Sequence, residues 1–298
     1  MKSKLFAVLC SLLISSVYAQ EKVSGVWGFA VGSTQGSYFR AILEQANKEQ
    51  NKYFFIFENK PGAGGAISSQ YVYNHNGTAI LAHSAAFFAR PFLYKETPYN
   101  FDQFKPLMVM GFSPAALVTK NKTLDQLLNQ SKITIATSGT GSTTHIMAAK
   151  FFQNWPNKNI EMVHYSSSNE AYKDVLGGHV DATFEFMGDV KAKGGTTPLG
   201  LTGNASVENL PLLKTIVPDM QHISGVFAIY VPKNMPNDKF LELQQILLKA
   251  EKHESVQRLY KIDYTAKEDY MQVPNDLTLW YNTTIKNFER FTKGINVK

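Results

Sequence analysis

The chain has 298 residues, a formal net charge of +6 and a single cysteine, Cys10. That length exceeds one small domain and suits two units of ordinary size. The charge is mild, and lysines such as Lys48, Lys52, Lys60, Lys95 and Lys105 are scattered without interleaved aromatic residues, which excludes a nucleic-acid binder.

Residues 1–19 read as an export signal. Lys2 and Lys4 precede an apolar run, Leu5 to Ile14, that is too short to span a bilayer, and Val17-Tyr18-Ala19 offers small residues for cleavage. Cys10 lies inside that run. The exported chain, expected to start near Gln20, therefore carries no disulfide, no thiol nucleophile and no cysteine metal site. No later apolar stretch is long enough to cross a membrane.

From there strands and helices alternate. Val23 to Phe29 reads as a strand, and a turn, Gly32 to Gly36, follows it. Tyr38 to Lys48 has helical spacing through Phe39, Ile42, Leu43 and Ala46. Tyr53 to Phe57 is a strand, Pro61 to Gly65 a second Gly-rich turn, Ala66 to Tyr73 a helix and Thr78 to Ala82 a third strand. Phe87 and Phe88 read as core, with an apolar wall for a ligand as the alternative. The pattern repeats after an extended stretch, Leu107 to Thr119. Leu124 to Asn129 is a helix, Ile133 to Ala136 a strand, Thr144 to Phe152 a helix, Ile160 to Val163 a strand, Asn169 to Leu176 a helix and Ala182 to Phe186 a strand. Val226 to Val231 is extended, and Lys239 to Lys252 and Leu277 to Phe291 are helices. Two similar half-structures predict two α/β lobes: residues 20–118 with 226–298, and residues 119–225 inserted between them. Two chain crossings make a hinge that can open and shut a central cleft.

Four turns share one design, a strand followed by small polar residues and a helix. They are Gly32-Ser33-Thr34-Gln35-Gly36-Ser37, Pro61-Gly62-Ala63-Gly64-Gly65, Ser138-Gly139-Thr140-Gly141-Ser142-Thr143 and Ser166-Ser167-Ser168-Asn169. In open α/β sheets such turns lie at the carboxyl ends of strands, where ligands bind. Glycine lets backbone N–H groups approach a ligand, and each helix start adds unpaired N–H groups with partial positive charge. Together they form an anion site that needs no arginine. Any one turn could instead be plain helix capping, as Ser167 to Glu170 illustrates. Neither glycine-rich turn has the spacing of a phosphate loop or a dinucleotide fingerprint.

Catalysis and metal binding find little support. There is no Gly-x-Ser-x-Gly elbow, and His145 falls one turn inside a helix beside Ile146 and Met147, where a structural role is expected. His75, His83, His179 and Asp181 lack the spacing of a closed metal site. No cofactor is expected. Glu185 should lie at the cleft edge, where it accepts a bond from the ligand or forms a salt bridge.

Several segments resemble the solute-binding receptors of tripartite tricarboxylate transporters. Glu58-Asn59-Lys60-Pro61-Gly62-Ala63-Gly64-Gly65 is similar to the most typical motif of that family. Pro98-Tyr99-Asn100, Gly139 to His145, Val175-Leu176-Gly177-Gly178-His179-Val180-Asp181 and Leu199-Gly200-Leu201-Thr202 follow in the family's order. The resemblance implies a type II periplasmic-binding fold and a periplasmic, monomeric receptor. It implies a carboxylate held mainly by the first two loops, closed over by the second lobe and delivered to membrane permease subunits. The residues expected at the ligand are Gly32, Ser33, Thr34, Gln35, Gly36, Ala63, Gly64, Gly65, Ser84, Thr140, Gly141, Ser142, Thr143, Ser166, Ser167, Ser168 and Glu185. Three departures stand out: Gly36 where the family has an Asp, Arg90 where it has Asn, and His164 to Ser168 in place of a Pro-Tyr-Lys-Gly-Ser segment. The competing readings are a sensor that presents its ligand-bound form to a signalling protein and, less favoured, a secreted hydrolase.

Overall fold

The computed structural model describes residues 19–204, 206–263 and 276–295. The expected export segment thus falls, but for Ala19, outside the described residues.

Two five-stranded mixed sheets form the framework. In the first, β1 (Glu21–Trp27) runs parallel to both β2 (Tyr53–Asn59) and β3 (Ala79–His83). The helices α1 (Thr34–Glu49) and α2 (Ala66–Asn74) make the connections, as the alternation of patterns predicts. α1 forms because its apolar residues fall on one stripe, with Tyr38, Phe39, Ile42, Leu43 and Ala46 buried against the sheet. It starts at Thr34, ahead of the Tyr38 that its periodicity predicts. Ser33 is the N-cap, and its hydroxyl accepts the Gly36 amide at 3.1 Å, so Thr34, Gln35 and Gly36 belong to the first turn.

α3 (Ala86–Leu93) follows β3 directly and was not legible in the sequence, because Pro91 sits inside it. Its Phe87 and Phe88 are fully buried. Phe87 stacks on Tyr230 at 4.4 Å and on Tyr99 at 5.1 Å, so both rings are core and not a ligand wall.

The antiparallel pair β4 (Phe104–Ser113) and β10 (Gly225–Pro232) completes the first sheet in the order β2-β1-β3-β10-β4. Beyond Pro114 the chain enters the second sheet as β5 (Ala115–Thr119). The outward crossing therefore lies at Pro114, before the expected 118–119, because proline cannot donate to a strand ladder and breaks the extended stretch in two. The second sheet has the order β7-β6-β8-β5-β9. β6 (Lys132–Thr137) is parallel to β7 (Asn159–His164) and β8 (Ala182–Phe186), and β5 is antiparallel to β8 and β9 (Thr197–Leu201). Helices α4 (Leu124–Leu128), α5 (Thr143–Phe152), α6 (Ser168–Gly177) and α7 (Met187–Lys193) connect them. The chain closes with α8 (Asn237–Glu251), α9 (Glu254–Asp263) and α10 (Leu277–Phe291). One apolar core runs through both sheets, from Val23 and Ile80 to Ile135 and Phe184. The two halves are thus packed as a closed pair.

Candidate functional site

A cavity of about 500 Å³ lies between the carboxyl ends of the parallel strands of the two sheets, the position expected for a ligand in open α/β sheets. Segments after β1, β2, β3, β6 and β7 reach it, as do Phe186 at the end of β8 and Phe227 in β10. No Lys, Arg, Asp, Glu or His is among the lining residues.

Of the residues expected at the ligand, Ser33, Gln35, Ala63, Gly64, Gly65, Ser84, Thr140, Thr143, Ser166, Ser167 and Ser168 line this cavity. The others do not, and each has a local reason. Gly32 turns its carbonyl to the Asn169 side chain at 3.4 Å. Gly36 packs inside α1, where a Cβ would sit 2.9 Å from the Trp27 indole nitrogen. Gly141 donates its amide to His145 Nδ1 at 2.9 Å, and Ser142 caps α5 by accepting the His145 amide at 3.3 Å. Thr34 and Glu185 belong to a buried charge cluster behind the cavity.

In that cluster the carboxylates of Glu185 and Asp189 face Lys193 Nζ at 3.0 and 3.7 Å. Burial, then the charge of Asp189, pushes the Glu185 carboxyl up to about 8. Burial also raises Asp189, against the Lys193 ammonium, the Thr34 amide and the Gln35 side chain. Thr34 Oγ1 further donates to Asp189 at 3.4 Å. Glu185 thus faces Lys193 and is not among the residues that line the cavity. Equally, the start of α1 in the first lobe already receives a carboxylate from the second lobe.

The start of α6 is met by the chain in part, and the amides of Ser168 and Asn169, both in the lining, have no protein acceptor among the described residues. Ser167 Oγ accepts the Glu170 amide at 3.2 Å, and the Glu170 carboxylate accepts the Ser166 amide at 3.1 Å and its hydroxyl at 2.7 Å. In the second and third loops the amides of Ala63, Gly64 and Thr140 likewise have no protein acceptor among the described residues, and all three residues line the cavity. These two loops meet across the cleft, since a Cβ on Gly64 would lie 2.6 Å from the Gly141 carbonyl oxygen. Beside them Thr143 Oγ1 shares a hydrogen bond with Ser84 Oγ at 2.9 Å and accepts the Ala86 amide at 3.2 Å, joining the halves. Arg90 is buried behind the third loop and stacks over Tyr94 at 4.3 Å, so its charge lies outside the cavity wall.

His83 supports the second loop from below. It is fully buried, and a Cβ on Gly65 would collide with its ring at 1.9 Å, so this position requires glycine. The Ser84 amide donates to His83 Nδ1 at 2.8 Å. Burial holds both His83 and His145 down to about 4, so each stays neutral. The sign follows: between 6.5 and 4 the unfolded chain takes up protons that the folded chain refuses, so stability falls as pH falls. Tm measured from about pH 7 to about pH 4 is expected to drop, and His83→Gln is expected to flatten that slope. An unchanged slope would remove His83 from the acid response.

Sequence reasoning missed the apolar half of the lining: Trp27, Gly28, Phe29, Tyr165, Phe186 and Phe227. The nearest available signal was that Trp27 and Phe186 end their strands, and strand ends in this fold point at the cleft. His145 has the expected structural role, with His164 against its ring at 4.7 Å. Asp181 is tied to Lys122 and accepts the Thr134 amide and hydroxyl, each at 2.8 Å. Among the described residues, no group of three or more His, Cys, Asp or Glu side chains could hold a metal ion, and no helix is long and apolar enough to cross a membrane.

The family model for the tripartite tricarboxylate transporter family receptor matches residues 39–276. The chain is similar to a UPF0065 protein of Bordetella bronchiseptica, with 23% identity over 234 residues, covering 72% of this chain and 69% of that protein. Its fold is similar to that of the periplasmic binding protein BugD, with a TM-score of 0.80 and 20% identity over 92% of this chain and 98% of that one. It is similar also to MatC from Rhodopseudomonas palustris, solved with bound malate, with a TM-score of 0.78 and 18% identity over 91% and 99%.

Proposed function

The chain belongs to the tripartite tricarboxylate transporter receptor family, and from that premise we propose that it is a periplasmic, monomeric receptor that captures a small organic carboxylate and hands it to a membrane permease. The observation that carries the carboxylate is the meeting of the second and third loops, where unpaired amides of Ala63, Gly64 and Thr140 face a cavity without charged side chains. Oriented amides in a dry site hold an anion by their dipoles without a neutralising cation. The hydroxyl pair Ser84–Thr143 and the Asn169–Gly32 contact hold the lobes together over the guest. A receptor of this kind needs no reacting side chain, and the two cavity-side histidines are neutral and structural.

Ligand capture stabilises the closed chain by linkage, by about 2.7 kcal/mol at a hundredfold excess over Kd. A thermal-shift panel of organic acids, amines and sugars is expected to return stabilisers among the acids alone. Stabilisation by amines or sugars only would refute the carboxylate.

Thr143 offers a finer test. Valine keeps its shape but leaves the Ser84 hydroxyl and the Ala86 amide unpaired when the lobes shut, whereas water serves both when they part. That costs about 1–3 kcal/mol in the closed form alone. Titration calorimetry on Thr143→Val is expected to give roughly tenfold weaker binding with Tm of the empty protein little changed. Undiminished affinity would exclude this contact from closure.

A further inference from the structure

Resting on the carboxylate reading above, we propose that the ligand carries one carboxylate and a bulky aromatic or cyclic apolar body, and that Phe29, Trp27, Phe227 and Phe186 select it. Two independent observations lead there.

The first is the count of anion positions. Four helix starts converge on the cleft, but carboxylates of the chain itself already meet two of them. Asp189 occupies the start of α1, and Glu170 takes the Ser166 amide just ahead of α6. Among the described residues, the junction of the second and third loops brings together unpaired amides from both lobes, and the Ser168 and Asn169 amides of α6 are unpaired as well. A second carboxylate on the ligand would find no cationic side chain in the lining, and burying its charge without one is costly.

The second is the wall. Four rings from three strand ends of both sheets form a continuous run in the lining. Phe29 lies 5.2 Å from Trp27, Trp27 lies 6.3 Å from Phe227, and Phe227 meets Phe186 edge-on at 5.2 Å. Phe29 is fixed in turn against His83 at 5.2 Å. Ring faces and edges of this kind reward apolar and aromatic area and offer nothing to a carboxylate. Most hydroxyls in the lining do not offset this, and among the described residues Thr140 and Ser168 keep theirs unengaged. Those of Ser33, Ser84, Thr143, Thr144 and Ser167 are engaged within the protein. A cavity of about 500 Å³ also exceeds what a four-carbon diacid fills.

The test is calorimetric titration of the full exported chain, after unfolding and refolding to strip any carried ligand, with phenylacetate, 3-phenylpropionate and 2-naphthoate. Malate, adipate and phenylacetamide serve as comparators. At least one aromatic monoacid is expected to bind ten times or more tighter than either diacid, and Phe29→Ala and Phe186→Leu are each expected to weaken it about tenfold. Circular dichroism establishes that the variants are folded, and the leucine variant retains volume if the alanine variant does not fold. Malate or adipate binding as tightly as every aromatic acid would overturn the inference and leave the carboxylate receptor standing. Phenylacetamide binding as tightly as phenylacetate would instead overturn the carboxylate reading. Unaltered aromatic-acid affinity in both phenylalanine variants would also overturn the proposed wall.

Discussion

Gly64→Val is expected to abolish ligand binding, by at least a hundredfold in affinity, while leaving a folded protein. Gly64 has φ of +60°, and a Cβ there would lie 2.6 Å from the oxygen and 2.8 Å from the carbon of the Gly141 carbonyl. Both are backbone atoms of the opposite lobe, so neither can swing aside as a side-chain tip would. The lobes must stay apart, and the amides of Ala63 and Thr140 no longer face one guest. Positive φ alone costs a β-branched residue about 1–3 kcal/mol, so a control must carry that cost without the clash. Gly77 serves, because its φ is +84° and no atom lies within 4 Å of its Cβ position. Gly77→Val is expected to lose similar stability and keep full affinity. Equal affinity in the two variants, measured by titration calorimetry, would show that closure does not pass through Gly64.

Lys193→Met is expected to give the largest loss of stability, about 3 kcal/mol at pH 8. Among the described residues the lysine is the one cation paired with two carboxylates, Glu185 at 1% and Asp189 at 3% side-chain exposure. Without it the buried pair must take up protons or remain as uncompensated charge. The effect therefore depends on pH. Glu185 is raised to about 8 from an ordinary value of 4.5, so the folded chain holds a proton there that the unfolded chain releases. Its contribution is complete below about 4.5 and is lost as pH rises through about 8. Urea unfolding of Lys193→Met is expected to differ from wild type far more at about pH 8 than at about pH 5. Adding Glu185→Gln should recover most of the loss and flatten the alkaline limb. A pH-independent deficit would mean that the lysine acts by packing and not by charge.

The order of strands and helices was legible because apolar residues recur at period two or 3.6 along most of the chain; α10 spans the residues that its stripe predicts, Leu277–Phe291. One cap was legible too, since Ser167 to Glu170 fits the capping pattern and Ser167 is the N-cap of α6. What the pattern did not contain was the use of each loop. A serine-rich turn reads alike whether its helix start waits for a guest or is met by a carboxylate 155 positions away, as Thr34 is by Asp189. Of the two roles the sequence left open for Glu185, the salt bridge is the one present, and its partners Asp189 and Lys193 were not legible because they lie on α7, a short helix without an apolar stripe of its own. The aromatic wall was hidden by its position on strands. Trp27 and Phe227 are 2% and 1% exposed and look like core in any window of sequence. Only the meeting of the two sheets turns their edges toward a common space.

Native mass spectrometry of freshly purified wild-type protein beside Gly64→Val examines the binding scheme in one step. Wild type should retain a small acid that leaves on denaturation, and the variant should carry none. An acid kept by the variant, or a guest in wild type that has no carboxyl group, would contradict an anion held where the second and third loops meet.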